Sequence, residues 1–413
     1  MKFTLFCLFA AVTAFTYWLR HINLAWLKKH GNEIPAGFEE AITQETLAKS
    51  SAYTFASSRL GLYESLFDNL LMIIFLFGGL LPLFDRFIGS VTSSFILQGI
   101  CFFLLLSWVQ TFLELPFSLY STFVTEATYG FNTTTARLWL VDFIKSQAIG
   151  TLLLTFLLGA AFWLIRWSQQ SWWLFLWGFM ALFTLFMMFI SPYLIEPLFN
   201  KFEPVTEEGL ADEIGTMMAR AGLKVGRVMQ MDASKRSRHS NAYFTGIGKV
   251  KRIVLYDTLL KQMTHAEIVA VLAHEIGHWK KGHIWKRLVV AELLALAGSW
   301  LAWKALSWPS LPDLLGMPAD LSLAGRLVIL GFISSILLFP FSPISAWLSR
   351  KNEGEADRYA AEITGDPGSL ASALVKLSTE NLANLHPHPL YARFYYSHPP
   401  VIERVESLRN LST

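Results

Sequence analysis

The chain has 413 residues and a formal net charge of +3; 53% of its residues are hydrophobic and only 16% are charged, against roughly 25% charged in soluble domains. That balance excludes a string of ordinary soluble domains and a disordered chain, and no basic stripe suggests nucleic acid as a partner. The two cysteines, Cys7 and Cys101, both lie in apolar runs, which excludes a disulfide framework and a cysteine zinc site.

Apolar runs near the ~20 residues that a helix needs to cross a bilayer occur at residues 3–19, 66–84, 91–113, 148–165, 172–190, 288–308 and 323–347. Seven spans are therefore expected. The first run continues through Tyr17 and Trp18 to Arg20. That aromatic and basic edge reads as a retained span and not as a signal peptide cut after Ala14. With seven spans, one side collects Arg20, Lys28, Lys29, Arg137, Lys145 and the basic stretch 201–286, while the other holds little beyond Lys2, Arg86, Arg166, Lys304 and Arg326. The excess of Lys and Arg places the larger polar segments in the cytoplasm, which also makes glycosylation of the Asn132 sequon an unlikely modification.

Two polar blocks interrupt the spans. The first, 192–282, reads as a helix over 206–221 ended by Gly222, then strands at 227–231, 241–246 and 252–256. The second, 349–413, follows the last span. No internal repeat separates them, so together they are expected to form one small cytoplasmic α+β domain. The chain then divides into an N-terminal membrane region with five spans (1–190), a catalytic part (191–283), spans six and seven (284–348) and a C-terminal part of the catalytic domain (349–413). Glu292, inside span six, is expected either to face a polar cavity or to sit in the first interfacial turn.

The first block carries the chemistry. Thr264 and Glu267 form a capping box that should start a helix. On it, His274 and His278 fall four apart on one face, where two imidazoles can reach one metal ion. Glu275 stands one step round the helix, from which a carboxylate can serve as general base without being a ligand. A hydrolytic zinc ion takes three protein ligands and keeps a fourth position open. After the last span, the acidic segment 349–357 should open a cytoplasmic helix, on which Glu353 and Asp357 share a face while Glu355 points away. One of the two can bind the metal and the other can orient a ligand histidine from behind. His265, His283, His386 and His388 show no matching spacing and read as surface or supporting residues. The plainer alternatives are a helix with two surface histidines and a solvated acidic helix start.

Taken together, the His274-Glu-Ile-Gly-His-Trp279 and Ser349-Arg-x-x-Glu353-x-x-Ala-Asp357 stretches resemble those of the membrane zinc peptidases that include CAAX prenyl protease 1 and the bacterial heat-shock protease HtpX. Three further stretches resemble the prenyl-protease branch: Leu115-Pro-Phe-Ser-Leu-Tyr-Ser-Thr-Phe123 with Tyr129-Gly-Phe-Asn132 and Asp142; Ser237-Arg-His-Ser-Asn-Ala-Tyr-Phe244; and Tyr396-Ser-His-Pro-Pro-Val-Ile-Glu-Arg404. The likeness runs from about residue 40 to the C-terminus. It implies a polytopic helical membrane protein whose seven helices enclose a chamber, joined to a zincin-like metalloprotease domain. It also implies one zinc ion held by His274, His278 and Glu353, with Glu275 as base and Asp357 behind a ligand. Asn241, Ala242 and Tyr243 would present a strand edge to the substrate backbone, and His398 would donate to the scissile carbonyl.

The expected function is a zinc endopeptidase that acts on prenylated CAAX tails or on other membrane-associated peptides, with peptide and lipid bilayer as partners. Its membrane is either the bacterial inner membrane or that of the endoplasmic reticulum, and its oligomeric state stays open. A general quality-control protease, and a non-catalytic binding or transport protein with structural zinc, are the alternatives.

Overall fold

The structure, a computed structural model, describes residues 1–245 and 250–411; the Gly246 end of the strand expected at 241–246 lies outside them. Seven described helices are long and apolar enough to cross a membrane: Lys2–His30, Gln44–Phe77, Phe95–Tyr129, Ala136–Trp167, Trp172–Phe199, His283–Leu306 and Leu323–Thr364. Each contains or overlaps one of the seven expected runs, and most continue well past the apolar stretch.

Two boundaries differ from expectation, for backbone reasons. The run 66–84 reads straight across Gly78 and Gly79, but the second span ends in a π-helical turn at Phe77, and Gly79 adopts a left-handed φ of 84°. A separate helix, Leu80–Val91, starts there; hydropathy averaging does not see a break that only glycine can make cheaply. The acidic segment around Glu353 does not open a new helix either. The helix begins eleven residues earlier, at Ser342, with a proline in its first turn, after a tight turn at Phe339–Phe341. Glu353 and Asp357 therefore sit in mid-helix, on a rod continuous with the seventh span.

Large apolar side chains cover the outside of the spans, with Leu152 and Leu182 each 70% exposed. In water such a surface would aggregate; against lipid it is the expected face. Inside, Leu5, Leu81, Phe102, Leu315, Ile329 and Phe332 belong to one buried cluster. The connection between spans six and seven folds onto that cluster and is tied down by the Ser322 N–H donating to Asp85 Oδ2 at 2.9 Å. Spans two and three border a cavity of about 490 Å³ lined by Arg59, Tyr63, Phe117 and Tyr120 among others. Glu292 lies nine positions after the first residue of span six, about two and a half helical turns in.

The polar part is built on a four-stranded sheet: β1 (Phe202–Pro204), β2 (Lys224–Met231), β3 (Ala242–Thr245) and β4 (Val250–Tyr256), in the order β1-β2-β4-β3. β2 and β4 are parallel, whereas β1–β2 and β3–β4 are antiparallel. β3 is thus an edge strand. The sheet's Ile253 and Leu255 share a core with Ile214 of the Leu210–Arg220 helix, with Ile268 and Leu272 of the His265–Lys280 helix, and with residues of the two C-terminal helices Pro367–Glu380 and Val401–Asn410. Phe38, fully buried, joins this core from the segment between spans one and two.

The membrane part also grips the chain just before β3. Asp142 accepts from Arg236 through both oxygens, at 2.8 and 3.2 Å, and Asn132 bridges to Ser237. His239 stacks on Phe131 at 4.0 Å between ring centroids, and its ring nitrogens meet Glu126 (3.1 Å) and Asn381 (2.9 Å). Tyr53, from the second span, donates to the same Glu126 at 2.7 Å. The sequence stretches around Tyr129–Asn132, Asp142 and Ser237–Phe244 are therefore two halves of one junction that fixes where the edge strand emerges.

Candidate metal centre

The helix His265–Lys280 is anchored at its start. Thr264 and Glu267 form the capping box, with the Thr264 N–H donating to Glu267 Oε2 at 2.8 Å. Glu267 also accepts from Ser372 (2.6 Å) and Lys376 (2.7 Å). Burial works to raise its carboxyl, but Lys376, Ser372 and Thr264 together hold it below the usual carboxylate range. A charged, fully bonded Glu267 thus clamps this helix to the Pro367–Glu380 helix.

One turn from its end, the same helix packs against Ser342–Thr364 at unusually close range. A methyl group added at Gly277 would stand 2.9 Å from the Ala356 Cα and 3.0 Å from its carbonyl oxygen, which no real Cβ tolerates without backbone movement. The glycine between the two motif histidines is a packing requirement, and it lets the second helix bring its carboxylates to the imidazoles.

They meet in a buried cluster. His274 Nε2 and His278 Nε2 are 3.2 Å apart, and Glu353 places Oε2 3.3 Å from the first and Oε1 3.2 Å from the second. One donor atom from each of the three lies within 4.8 Å of the others. Glu353 Oε2 is buried without a hydrogen bond of acceptable geometry, although His398 Nδ1 stands 2.7 Å from it. Short contacts without hydrogen-bond geometry are what ligand atoms arranged round a shared centre produce. Two imidazoles and one carboxylate are also a donor set suited to a divalent transition metal, with a position left for water. The residues fit a metal.

Behind His274, the Asp357 carboxylate stands 2.7 Å from Nδ1 and accepts two hydrogen bonds from Arg404, at 2.8 and 2.7 Å. This fixes the His274 tautomer so that Nε2 faces the cluster. Against burial, which favours the neutral ring, Asp357 and Glu353 pull the His274 imidazole up to about 9. Surroundings that strengthen its hold on a proton also strengthen its hold on a cation.

The structure therefore assembles His274, His278, Glu353, Asp357 and His398 in one place. Of the two carboxylates left open by spacing, Glu353 lies against the Nε2 atoms of both rings and Asp357 against His274 Nδ1. Glu275 is half-buried on the same helix, close enough for its charge to act on Arg404. The edge strand β3 packs beside this helix. Ala242 there is buried, Asn241 accepts its N–H through its own side chain at 2.8 Å, and the Tyr243 hydroxyl donates to Glu196 at 2.8 Å.

Spacing alone does not show the contacts of three further residues. Arg404 carried no role, although it stands at the end of a singled-out stretch. His283, read as a surface or a supporting residue, is 2% exposed, with Nδ1 3.1 Å from His278 Nδ1. Glu355 does not point away from all partners but meets His283 Nε2 at 3.1 Å. Both lie on helices that continue into spans, and helical spacing within one element cannot show a contact between two.

Comparison with known proteins agrees with this picture. Residues 23–201 match the family model for the CAAX prenyl protease N-terminal region, five membrane helices, and residues 204–412 match that of peptidase family M48. A CAAX prenyl protease 1 homolog of Arabidopsis thaliana is 33% identical over 91% of this chain and 90% of its own length. CAAX prenyl protease 1 of Saccharomyces cerevisiae is 32% identical, over 92% and 89%. The crystal structure of S. mikatae Ste24p superposes with a TM-score of 0.91 at 29% identity, covering 98% of each chain.

Proposed function

Because the chain belongs to the CAAX prenyl protease group of peptidase family M48 and is a membrane metalloendopeptidase, we propose that it uses one zinc ion to cleave prenylated CAAX tails, with its catalytic part in the cytoplasm. The observation that carries this reading is the convergence within 4.8 Å of donor atoms of His274 and His278, on a helix that also bears Glu275, and of Glu353 from the helix packed against it. The cytoplasmic side is supported by the excess of Lys and Arg on the segments that follow spans one, three and five. A zinc-bearing site next to seven spans, in a family that acts on lipidated tails, suits a peptide whose own anchor holds it at the bilayer.

When bound, zinc supplies Lewis acidity: it makes water nucleophilic near neutral pH and polarises a carbonyl. The chain's residues do the rest. Glu275 accepts the proton of the attacking water and delivers it to the leaving amine. His398, 58% exposed and beside Glu353, donates a hydrogen bond to the oxygen on which charge develops. The free edge of β3, from Asn241 through Tyr243, pairs with the extended substrate backbone. Asp357, held by Arg404, keeps His274 turned towards the metal.

The test is a mass-spectrometric assay of the detergent-purified protein on a farnesylated CAAX peptide and its unprenylated twin, with and without a zinc chelator. Chelator-sensitive release of the last three residues, faster from the farnesylated peptide, is the expected result. Chelator-sensitive cutting at scattered sites, indifferent to the prenyl group, would replace the CAAX reading with that of a quality-control protease.

A further inference from the structure

His283 is the first residue of the sixth span, placed there by Gly282 in a left-handed turn (φ 70°) directly after the motif helix. Its ring is almost wholly enclosed, with the side chain 3% exposed. Nδ1 lies 3.1 Å from His278 Nδ1, and Nε2 lies 3.1 Å from Glu355 Oε2. Glu355 comes from the helix that continues the seventh span, two residues after Glu353. A metal ligand is thus connected, through one buried imidazole, to a carboxylate on a different membrane-linked helix.

Proton arithmetic gives the chain of contacts a direction. A His278 that binds metal through Nε2 keeps its proton on Nδ1, so that N–H is the donor and His283 Nδ1 must accept. His283 then carries its own proton on Nε2, which it donates to the Glu355 carboxylate, an acceptor with no proton to offer. Each contact admits only this assignment once the metal is in place. The arrangement parallels the one on the other ligand, where Asp357 meets His274 Nδ1 at 2.7 Å. The difference is that His278 receives its carboxylate through an interposed ring.

We propose that His283 and Glu355 are positioning residues for the metal centre: together they fix the tautomer and ring orientation of His278 and tie that ligand to the starts and ends of spans six and seven. The proposal rests on His274, His278 and Glu353 being the metal site. Glu355, with its side chain 31% exposed, is the position to vary, because it can change without opening a cavity. His283, being buried, is not a clean one.

The experiment measures zinc affinity by competition with a chromogenic chelator, the visible absorption of the cobalt(II)-substituted protein, and the melting temperature of the metal-free protein. Wild type is compared with Glu355→Ala and Glu355→Gln. Loss of the acceptor in Glu355→Ala should lower zinc affinity about 10- to 100-fold and alter the cobalt spectrum, with metal-free melting unchanged. Glu355→Gln, which still offers a carbonyl oxygen to His283 Nε2, should recover much of the affinity. Zinc affinity within twofold of wild type in Glu355→Ala, with an unchanged cobalt spectrum, overturns the proposal, as does a fall in metal-free melting temperature alone. Failure of the wild-type protein to take up stoichiometric zinc would instead overturn the metal site itself.

Discussion

Glu275→Gln should abolish nearly all turnover while leaving one zinc per chain and an unchanged fold. General-base catalysis typically contributes 10²–10⁴ in rate, so kcat should fall by roughly that factor, about 3–5 kcal/mol of barrier. The geometry supports a loss confined to chemistry. Glu275 neighbours His274 in sequence but is absent from the donor cluster, which consists of His274, His278 and Glu353. It is half-buried, so an amide of the same shape adds neither volume nor a cavity. Atomic absorption on the purified variant checks the metal, and the peptide assay checks the rate. Loss of zinc from Glu275→Gln would make it a ligand and leave the reaction without an identified base.

Glu353→Gln should fail in the opposite way. Its carboxylate lies 3.2–3.3 Å from both ligand imidazole nitrogens and 2.7 Å from His398 Nδ1. The amide removes the one negative charge among the three donors and offers a weaker donor atom. Replacing groups behind metal ligands already costs 10- to 100-fold in affinity, so removing a ligand charge should cost at least about 100-fold. Activity should then be lost at ordinary zinc concentrations and return in part when zinc is raised. The same chelator competition reads the outcome, and Glu355→Gln provides a neighbouring control with a much smaller loss. Equal zinc retention in the two variants would mean that the third ligand has been misassigned.

How far the sequence reveals this molecule depends on whether the relevant contacts are local. Helix 265–280 is legible because its cap, its His-Glu-x-x-His pattern and its end all lie within one element, and 3.6-residue periodicity puts the two histidines on one side. The spans are legible because a bilayer demands length and hydrophobicity that little else does. The edge strand β3 was visible as a short run, but its place beside β4, and the parallel pairing of β2 with β4, arise from contacts between elements. Glu353 and Asp357 share a helical face equally well. Only the approach of that helix at Gly277 and Ala356 decides which carboxylate reaches the rings. Spacing leaves His283 between a surface and a supporting place for the same reason: its partner, Glu355, belongs to a helix on the far side of two spans.

The backbone breaks show a second limit. Gly79 interrupts a stretch that is apolar on both sides, and the helix that carries Glu353 starts eleven residues before it, at Ser342, with Pro343 in its first turn. Averages over a window report how greasy a segment is, not where one residue changes direction.

The most direct test of the account is X-ray absorption at the zinc edge on the purified protein, with and without a hydroxamate, a small metal-chelating inhibitor. The protein should hold one zinc per chain, with two imidazole nitrogens at about 2.0–2.1 Å, carboxylate oxygen and no sulfur, and its spectrum should change when the hydroxamate takes the remaining position. A closed shell of four protein ligands, insensitive to hydroxamate, or a protein that holds no stoichiometric zinc, would contradict it.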